Sequence, residues 1–279
     1  MIGAIIGDII GSRFEGKVKP SCEDFLLFTK KTYFTDDTVH TIAIAEGIMG
    51  DGNYSDLLRY YYQKYPYAGY GCGFKLWAKD KEAEPYNSWG NGSAMRVSSV
   101  GWAFNDKETV LEEAKKSAEV THNHPEGIRG AQSIAYAILL ARQGKSKEEI
   151  REAITEEMGY DLTNIPTGFQ ISCQETIPQA MWAFLESTSF IDAIRKAILI
   201  KGDADTLACI AGSIAQAYYG KGLEAIPKDV IVAAFERLPD DLANIAVDFT
   251  RTYVDPTFKK PAKMSKQAEI YDLFRSIFS

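Results

Sequence analysis

Gly3, Gly7 and Gly11 stand four residues apart in the opening run "MIGAIIGDIIGSRFEG". At 3.6 residues per turn this spacing puts all three on one face of a helix. A face without side chains lets a second backbone approach closely, so the run predicts a helix packed tightly at the centre of the protein. Apolar residues cover its other faces, as expected of a helix buried all round. The run lacks a basic leader region and carries Asp8. It is also too short and interrupted to cross a membrane, so it reads as the first core helix.

Helical periodicity continues along the chain. Val39, Ile42, Ala43 and Ile48 form one stripe, and Val110, Leu111, Ala114 and Ala118 another. Pro125 suits a first helical position ahead of Ile128, Ala131, Ile134, Ala135 and Leu139. Ser146 and Glu149 have the spacing of a capping box. Further helical patterns cover about 174–186, 189–200, 204–219, 228–237, 239–252 and 265–277. Only Asp24–Phe28 suggests a strand, and it is short. The segments 159–173 and 253–263 read as loops. The pattern predicts an all-α fold of more than ten helices, in one domain spanning residues 1–279. Neither a low-complexity linker nor a repeat period divides it.

The 279 residues suffice for a sizeable core, and 46% are apolar. The net charge of -7 comes without a basic stripe, which argues against nucleic acid as a partner. It leaves room for a small anion held by helix N-termini or by a metal. Cys22, Cys72, Cys173 and Cys209 form no paired motif, so they read as reduced thiols of a cytoplasmic protein, with neither disulfide frame nor zinc site.

Two stretches gather hard oxygen donors. In "YFTDDT", Thr35, Asp36 and Asp37 head an apolar helix-like run. In "KGDADT", Asp203, Asp205 and Thr206 do the same. Such residues are favoured caps. Two carboxylates with a hydroxyl at each helix start also suit magnesium or manganese. On residue chemistry alone, capping and metal binding both stand for each cluster. The glycines of "NSWGNG" precede a helical pattern with Met95, Val97 and Val100 and could cradle phosphate, although such loops are often plain turns. "GYGCGF" at 69–74 is a second glycine loop. His122 and His124 in "THNHPEG" suit hydrogen bonding to a ligand better than zinc. His40 reads as a packed histidine. Neither a GxSxG elbow nor a Walker A sequence is present.

Taken in order, "GAIIGDIIGSRFEG", "YFTDDT", "GYGCG", "NSWGNGSAMR", "THNHPEG" and "KGDADT" resemble the ADP-ribosyl-glycohydrolase family, named for the hydrolase that reactivates dinitrogenase reductase. The resemblance spans residues 1–220 and implies an all-α hydrolase with two Mg2+ or Mn2+ ions. It implies Thr35, Asp36, Asp37, Asp203, Asp205 and Thr206 as metal ligands, with Asp205 bridging. Glu15 and Asp36 become candidates for acid/base work. Gly71 and Gly73 would lie near the distal ribose; Asn87, Ser88, Trp89, Gly90, Asn91 and Gly92 near the diphosphate; and His122 in the ligand cleft. The implied reaction cleaves the glycosidic bond at C1″ of ADP-ribose, with ADP-ribosyl-arginine as the leading linkage. O-linked conjugates, a nucleotide phosphohydrolase and a non-catalytic ADP-ribose-binding module are the alternatives. The implied partner is an ADP-ribosylated protein or small conjugate, and a monomer is the default. In this family Gly-Gly commonly precedes the second acidic motif; here Lys201 precedes Gly202.

Overall fold

The glycine face of the first helix, α1 (Ile2–Gly11), lies directly on the backbone of a helix two hundred residues away, α12 (Ala204–Tyr219). A Cβ at Gly3 would stand 2.4 Å from the Gly212 carbonyl oxygen, one at Gly7 2.0 Å from that of Ala208, and one at Gly11 2.5 Å from that of Ala204. The two helices therefore run antiparallel, and the C-terminal end of α1 meets the start of α12. Every residue of α1 is buried, with Ile2, Ile5, Ile6, Ile9 and Ile10 at 1% exposure or less. Burial of each such side chain contributes about 1.5–3 kcal/mol.

The computed structural model describes residues 1–16, 20, 24–220 and 222–261. Among them are fourteen α-helices and no strand beyond an isolated bridge between Gly90 and Ser172. A 3-10 turn, Ser12–Phe14, leaves α1. Then come α2 (Asp36–Met49), α3 (Tyr54–Lys64), α4 (Cys72–Lys79), α5 (Gly92–Met95), α6 (Ser98–Ala103), α7 (Lys107–Glu119), α8 (Pro125–Arg142) and α9 (Lys147–Glu156). After a loop follow α10 (Cys173–Leu185), α11 (Phe190–Leu199), α12, α13 (Lys228–Phe235) and α14 (Asp240–Tyr253). Around the α1–α12 pair, α11, α10 and α8 pack on α12, while α2 and α13 pack on α1.

Local chemistry explains several boundaries. His124 caps α8 and Pro125 opens it. Ser146 and Glu149 exchange both bonds of the capping box at α9. The segment Asp24–Phe28 is irregular, its Phe25 ring set edge-on to Phe14 at 5.1 Å. The expected helix through Met95, Val97 and Val100 is broken into α5 and α6. The glycine loop at 69–74 is shorter than its sequence suggests, because α4 begins at Cys72 and contains Gly73. Cys173 and Cys209 are buried thiols and Cys72 an exposed one. Cys22 and the pattern at 265–277 lie outside the described residues. No helix among the described residues is long and apolar enough to cross a membrane.

Candidate active site

Antiparallel packing of α1 and α12 brings three chain segments to one point: the end of α1, the start of α12 and the start of α2. Thr35 caps α2, its hydroxyl accepting from the Asp37 amide at 3.3 Å. Asp203 stands at the N-cap position of α12 without a side-chain capping bond, with Asp205 in the first turn. Only the first start is closed by a capping bond, and both helix dipoles favour the negative charge gathered there.

The carboxylates form two triads that share one member. Asp8, Asp37 and Asp205 each offer an oxygen within 4.8 Å of the others, and so do Glu15, Asp203 and Asp205. Asp8, Asp37, Asp203 and Asp205 are buried, Asp36 is half-buried and Glu15 is exposed. Thr206 closes the gap between the helices, its hydroxyl 3.4 Å from Asp37 Oδ2. Asp37 Oδ1 is buried without a hydrogen-bond partner. Burial pushes Asp8 up to about 6, partly offset by hydrogen bonds from Thr35 and Thr38. Burial, then mutual repulsion, raises Asp36, Asp37 and Asp205 well above the ordinary 3.8. An orphaned carboxylate oxygen in a crowded, all-oxygen donor set fits a divalent cation.

Asp8 is the residue that sequence reading passed over, noted only as an interruption in an apolar run. It is 0% exposed. Its oxygens accept from the Thr35 amide at 2.9 Å and hydroxyl at 2.6 Å, and from the Thr38 amide at 3.1 Å and hydroxyl at 2.5 Å. Four donors nearly exhaust its acceptor capacity. Asp8 thus holds the start of α2 in place, and by taking the Thr35 proton it turns that hydroxyl's lone pairs toward the triads. Tyr33, half-exposed, is also at this point; burial and then Glu15, Asp205 and Asp8 raise its hydroxyl.

Asn91 ties the acidic centre to the glycine loop. Its side-chain nitrogen donates to Asp203 Oδ2 at 2.9 Å and Thr176 Oγ1 at 3.2 Å. The loop is pinned from three sides. The Asn87 amide donates to Asn123 Oδ1 at 2.7 Å, the Gly90 amide to Ser88 Oγ at 3.1 Å, and the Asn91 amide to the Ile171 carbonyl at 2.8 Å. The Trp89 carbonyl accepts from the Cys173 amide at 2.9 Å. Asn87 sits at φ +53, a left-handed conformation that asparagine tolerates. With the Ser88 amide donating to the Thr121 carbonyl at 3.4 Å, four loop amides are spent within the protein, and the helix that follows is a single turn. The Trp89 and Gly92 amides have no partner among the described residues. His122 lies against both loop glycines; its Nε2 is 3.6 Å from a Cβ built at Gly90 and 3.1 Å from one at Gly92.

The second glycine loop reaches the centre through Gly69, whose Cβ position lies 3.1 Å from Asp36 Oδ1. Gly71 faces open space, and Gly73 abuts the Tyr86 ring at 3.0 Å. His40 is buried against Tyr70 and Phe74. Lys201 is exposed, in a left-handed turn at φ +66 between α11 and α12.

Hard oxygen donors at two helix starts, beside a glycine loop backed by a histidine, form the candidate site of this all-α protein. The chain belongs to the ADP-ribosylglycohydrolase family, whose model matches residues 1–256, and with it to the glycosidic-bond hydrolases. It is 26% identical to the ADP-ribosylhydrolase ARH3 of Mus musculus, over 82% of this chain and 84% of that one. The human ARH3 is 26% identical, over 82% of this chain and 86% of its own. The ADP-ribosylarginine hydrolase Tri1 of Pseudomonas putida (strain GB-1) is 30% identical, over 47% of this chain and 38% of its own. A solved structure described as an ADP-ribosylglycohydrolase-related protein complex shares the fold, with a TM-score of 0.68 and 24% identity over 90% of this chain and 96% of that chain.

Proposed function

We propose that this hydrolase releases ADP-ribose from a modified substrate by cleaving the bond at C1″ of the terminal ribose, with ADP-ribosyl-arginine as its linkage. The observation that carries the reading is the bond between Asn91 and Asp203, which sets a cation centre and an anion loop side by side. ADP-ribose has the matching halves, a ribose diol and a diphosphate. The partial likeness to Tri1 supports the arginine linkage, and the fuller likeness to ARH3 supports an O-linked conjugate as the second reading.

Thr35, Asp36, Asp37, Asp203, Asp205 and Thr206 would hold two Mg2+ or Mn2+ ions, Asp205 being common to both carboxylate triads. Bound ions supply electrostatic stabilisation and orient the ribose. Asp8 fixes the Thr35 hydroxyl. Asn91 keeps Asp203 facing the centre and ties the glycine loop to it. The carboxylates stabilise positive charge developing at the ribose ring. Glu15, the exposed member, is placed to exchange a proton with the attacking water or the leaving nitrogen. Water adds its oxygen to C1″, and the arginine nitrogen leaves with a proton. The partner in this reading is an ADP-ribosylated protein or a small conjugate, with the cytoplasm and a monomer as the proposed setting.

The test is single-turnover release of ADP-ribose from ADP-ribosyl-arginine and ADP-ribosyl-serine peptides, with Mg2+, Mn2+ or EDTA. Release from the arginine peptide should need the metal and fall to the EDTA level in Asp37→Ala and Asp205→Ala. Release from the serine peptide alone would replace the linkage. Binding of ADP-ribose without release from either would make the protein a binding module, and no binding would refute the reading.

A further inference from the structure

Arg96 is the largest fully enclosed side chain among the described residues, 0% exposed. Buried guanidinium groups are ordinarily paired with a carboxylate. Arg96 forms no ion pair among the described residues, and the groups acting on its charge are Tyr86 and Cys173. Its Nη2 donates to the Ser117 carbonyl at 2.8 Å, the Ala118 carbonyl at 3.4 Å and Thr121 Oγ1 at 2.9 Å. Its Nε and Nη1 are buried without partners. A positive charge is thus locked into the core with nothing of opposite sign beside it.

The contacts of Arg96 lead toward the glycine loop. Thr121 Oγ1 lies 2.7 Å from His122 Nδ1. That oxygen already accepts from Arg96, and its own proton has no other acceptor among the described residues. The hydroxyl therefore donates to Nδ1, which places the ring proton on Nε2, an assignment read from the hydrogen-bond network. Nε2 has no partner among the described residues and faces the positions of Gly90 and Gly92. Burial, and then the charge of Arg96, hold the imidazole neutral. A neutral ring can donate from Nε2 only in this tautomer. The other tautomer would present a lone pair to an anion in the loop. The Asn87, Ser88, Gly90 and Asn91 amides are already spent, so the histidine N–H is a substantial share of what remains.

We propose that Arg96 is a positioning residue of the anion subsite. Through Thr121 it fixes His122 as the Nε2–H tautomer, and its unpaired charge favours a diphosphate against the Gly90–Gly92 loop. The inference rests on the reading that this loop receives the diphosphate of ADP-ribose. It adds the source of positive potential and the device that orients the donor.

The probe is ADP, titrated by calorimetry in EDTA so that metal–phosphate contacts are absent, alongside 15N NMR of the His122 ring. Thr121→Val removes the hydroxyl at nearly constant volume, and Thr121→Ser restores it. The ring of the parent protein should show Nε2–H, and its signal should shift on adding ADP. Thr121→Val should mix the tautomers and weaken ADP binding about fivefold, the size of one net hydrogen bond. Thr121→Ser should recover both, a rescue that a purely structural role for the hydroxyl would not couple to the tautomer. An Nδ1–H ring in the parent, no binding of ADP, or a Thr121→Val variant that binds ADP as the parent does would each overturn the inference. Normal ADP binding without hydrolysis of either ADP-ribosyl peptide would overturn the proposed function and leave this inference standing.

Discussion

Replacing Gly7 with alanine tests how the fold builds the site. The added methyl would stand 2.0 Å from the Ala208 carbonyl oxygen, 2.4 Å from its carbon and 2.7 Å from the Cys209 nitrogen. Ordinary contact begins near 3.4 Å, so α1 and α12 must part by more than about 1 Å. All three obstacles are backbone, so no rotamer change relieves them. Gly3 and Gly11 hold the same pair of helices equally close on either side, so a local tilt is resisted too. The cost should lie at the upper end of overpacking, about 3 kcal/mol. For a chain of this size that lowers Tm by roughly 6–12 °C. Gly71→Ser is the control. Gly71 faces open space at the cap of α4 with φ -61, where serine is a good cap, so its Tm should hold or rise slightly. Asp8 adjoins Gly7 and Asp205 sits on α12, so parting the helices also parts a carboxylate triad. Mn2+ affinity, followed by calorimetry on the folded variant, should fall with Tm. A Gly7→Ala variant within about 1 °C of the parent, with unchanged Mn2+ affinity, would refute the account of both packing and site.

The acidic centre makes a prediction about pH. Asp8 is raised from 3.8 to about 6, so between those values the folded state binds more protons than the unfolded chain, and metal-free stability falls as pH rises. For Asp8 alone the loss approaches about 3 kcal/mol above the window, and Asp37 and Asp205 shift the same way. A bound cation replaces those protons, so scanning calorimetry should find Mg2+ or Mn2+ raising Tm by several degrees at about pH 7.5 and far less at about pH 5. Equal shifts at both would disprove it. Lys201→Gly should stabilise the protein by about 0.5–1 kcal/mol, because it removes about 1–2 kcal/mol of left-handed strain at φ +66 and returns part as unfolded-state entropy. Urea unfolding with a midpoint at or below the parent's would contradict this.

The readable parts of the sequence were those in which local periodicity and tertiary demand coincide. The glycine face of α1 is set by spacing alone, and its partner is any backbone close enough to need it. The starts of α2 and α12 are visible because capping chemistry is local. Helix α3 escaped because four tyrosines and several polar groups blur its apolar stripe. Helix α4 escaped because its first glycines read as a turn. Asp8 was hidden for a different reason. Its partners Thr35 and Thr38 lie 27 and 30 residues away, and a carboxylate in an apolar run gives no local sign that it is satisfied. Arg96 is hidden in the same way, since its donors meet Ser117, Ala118 and Thr121 only after α5 and α7 pack. Glu15 could be singled out through the family resemblance but not through its neighbours, because it joins Asp203 and Asp205 only when α1 and α12 lie antiparallel.

Charge separation explains how a chain of net charge -7 can receive an anion. Its carboxylates do not repel a diphosphate uniformly. Six acidic groups converge on one point, where bound cations would offset much of their charge. A fixed positive charge, Arg96, lies behind the loop beside that point, and His122 presents a neutral donor between. Asn91 joins the two halves through Asp203. This division also bears on stability. The acidic half destabilises the fold until a cation arrives, and Arg96 costs desolvation with no carboxylate to offset it. Both costs fall on groups that a ligand or metal would compensate. The rest of the core, built on the α1–α12 contact, must therefore carry the fold when the site is empty, which is why a single methyl at Gly7 should be felt in stability and in cation binding together.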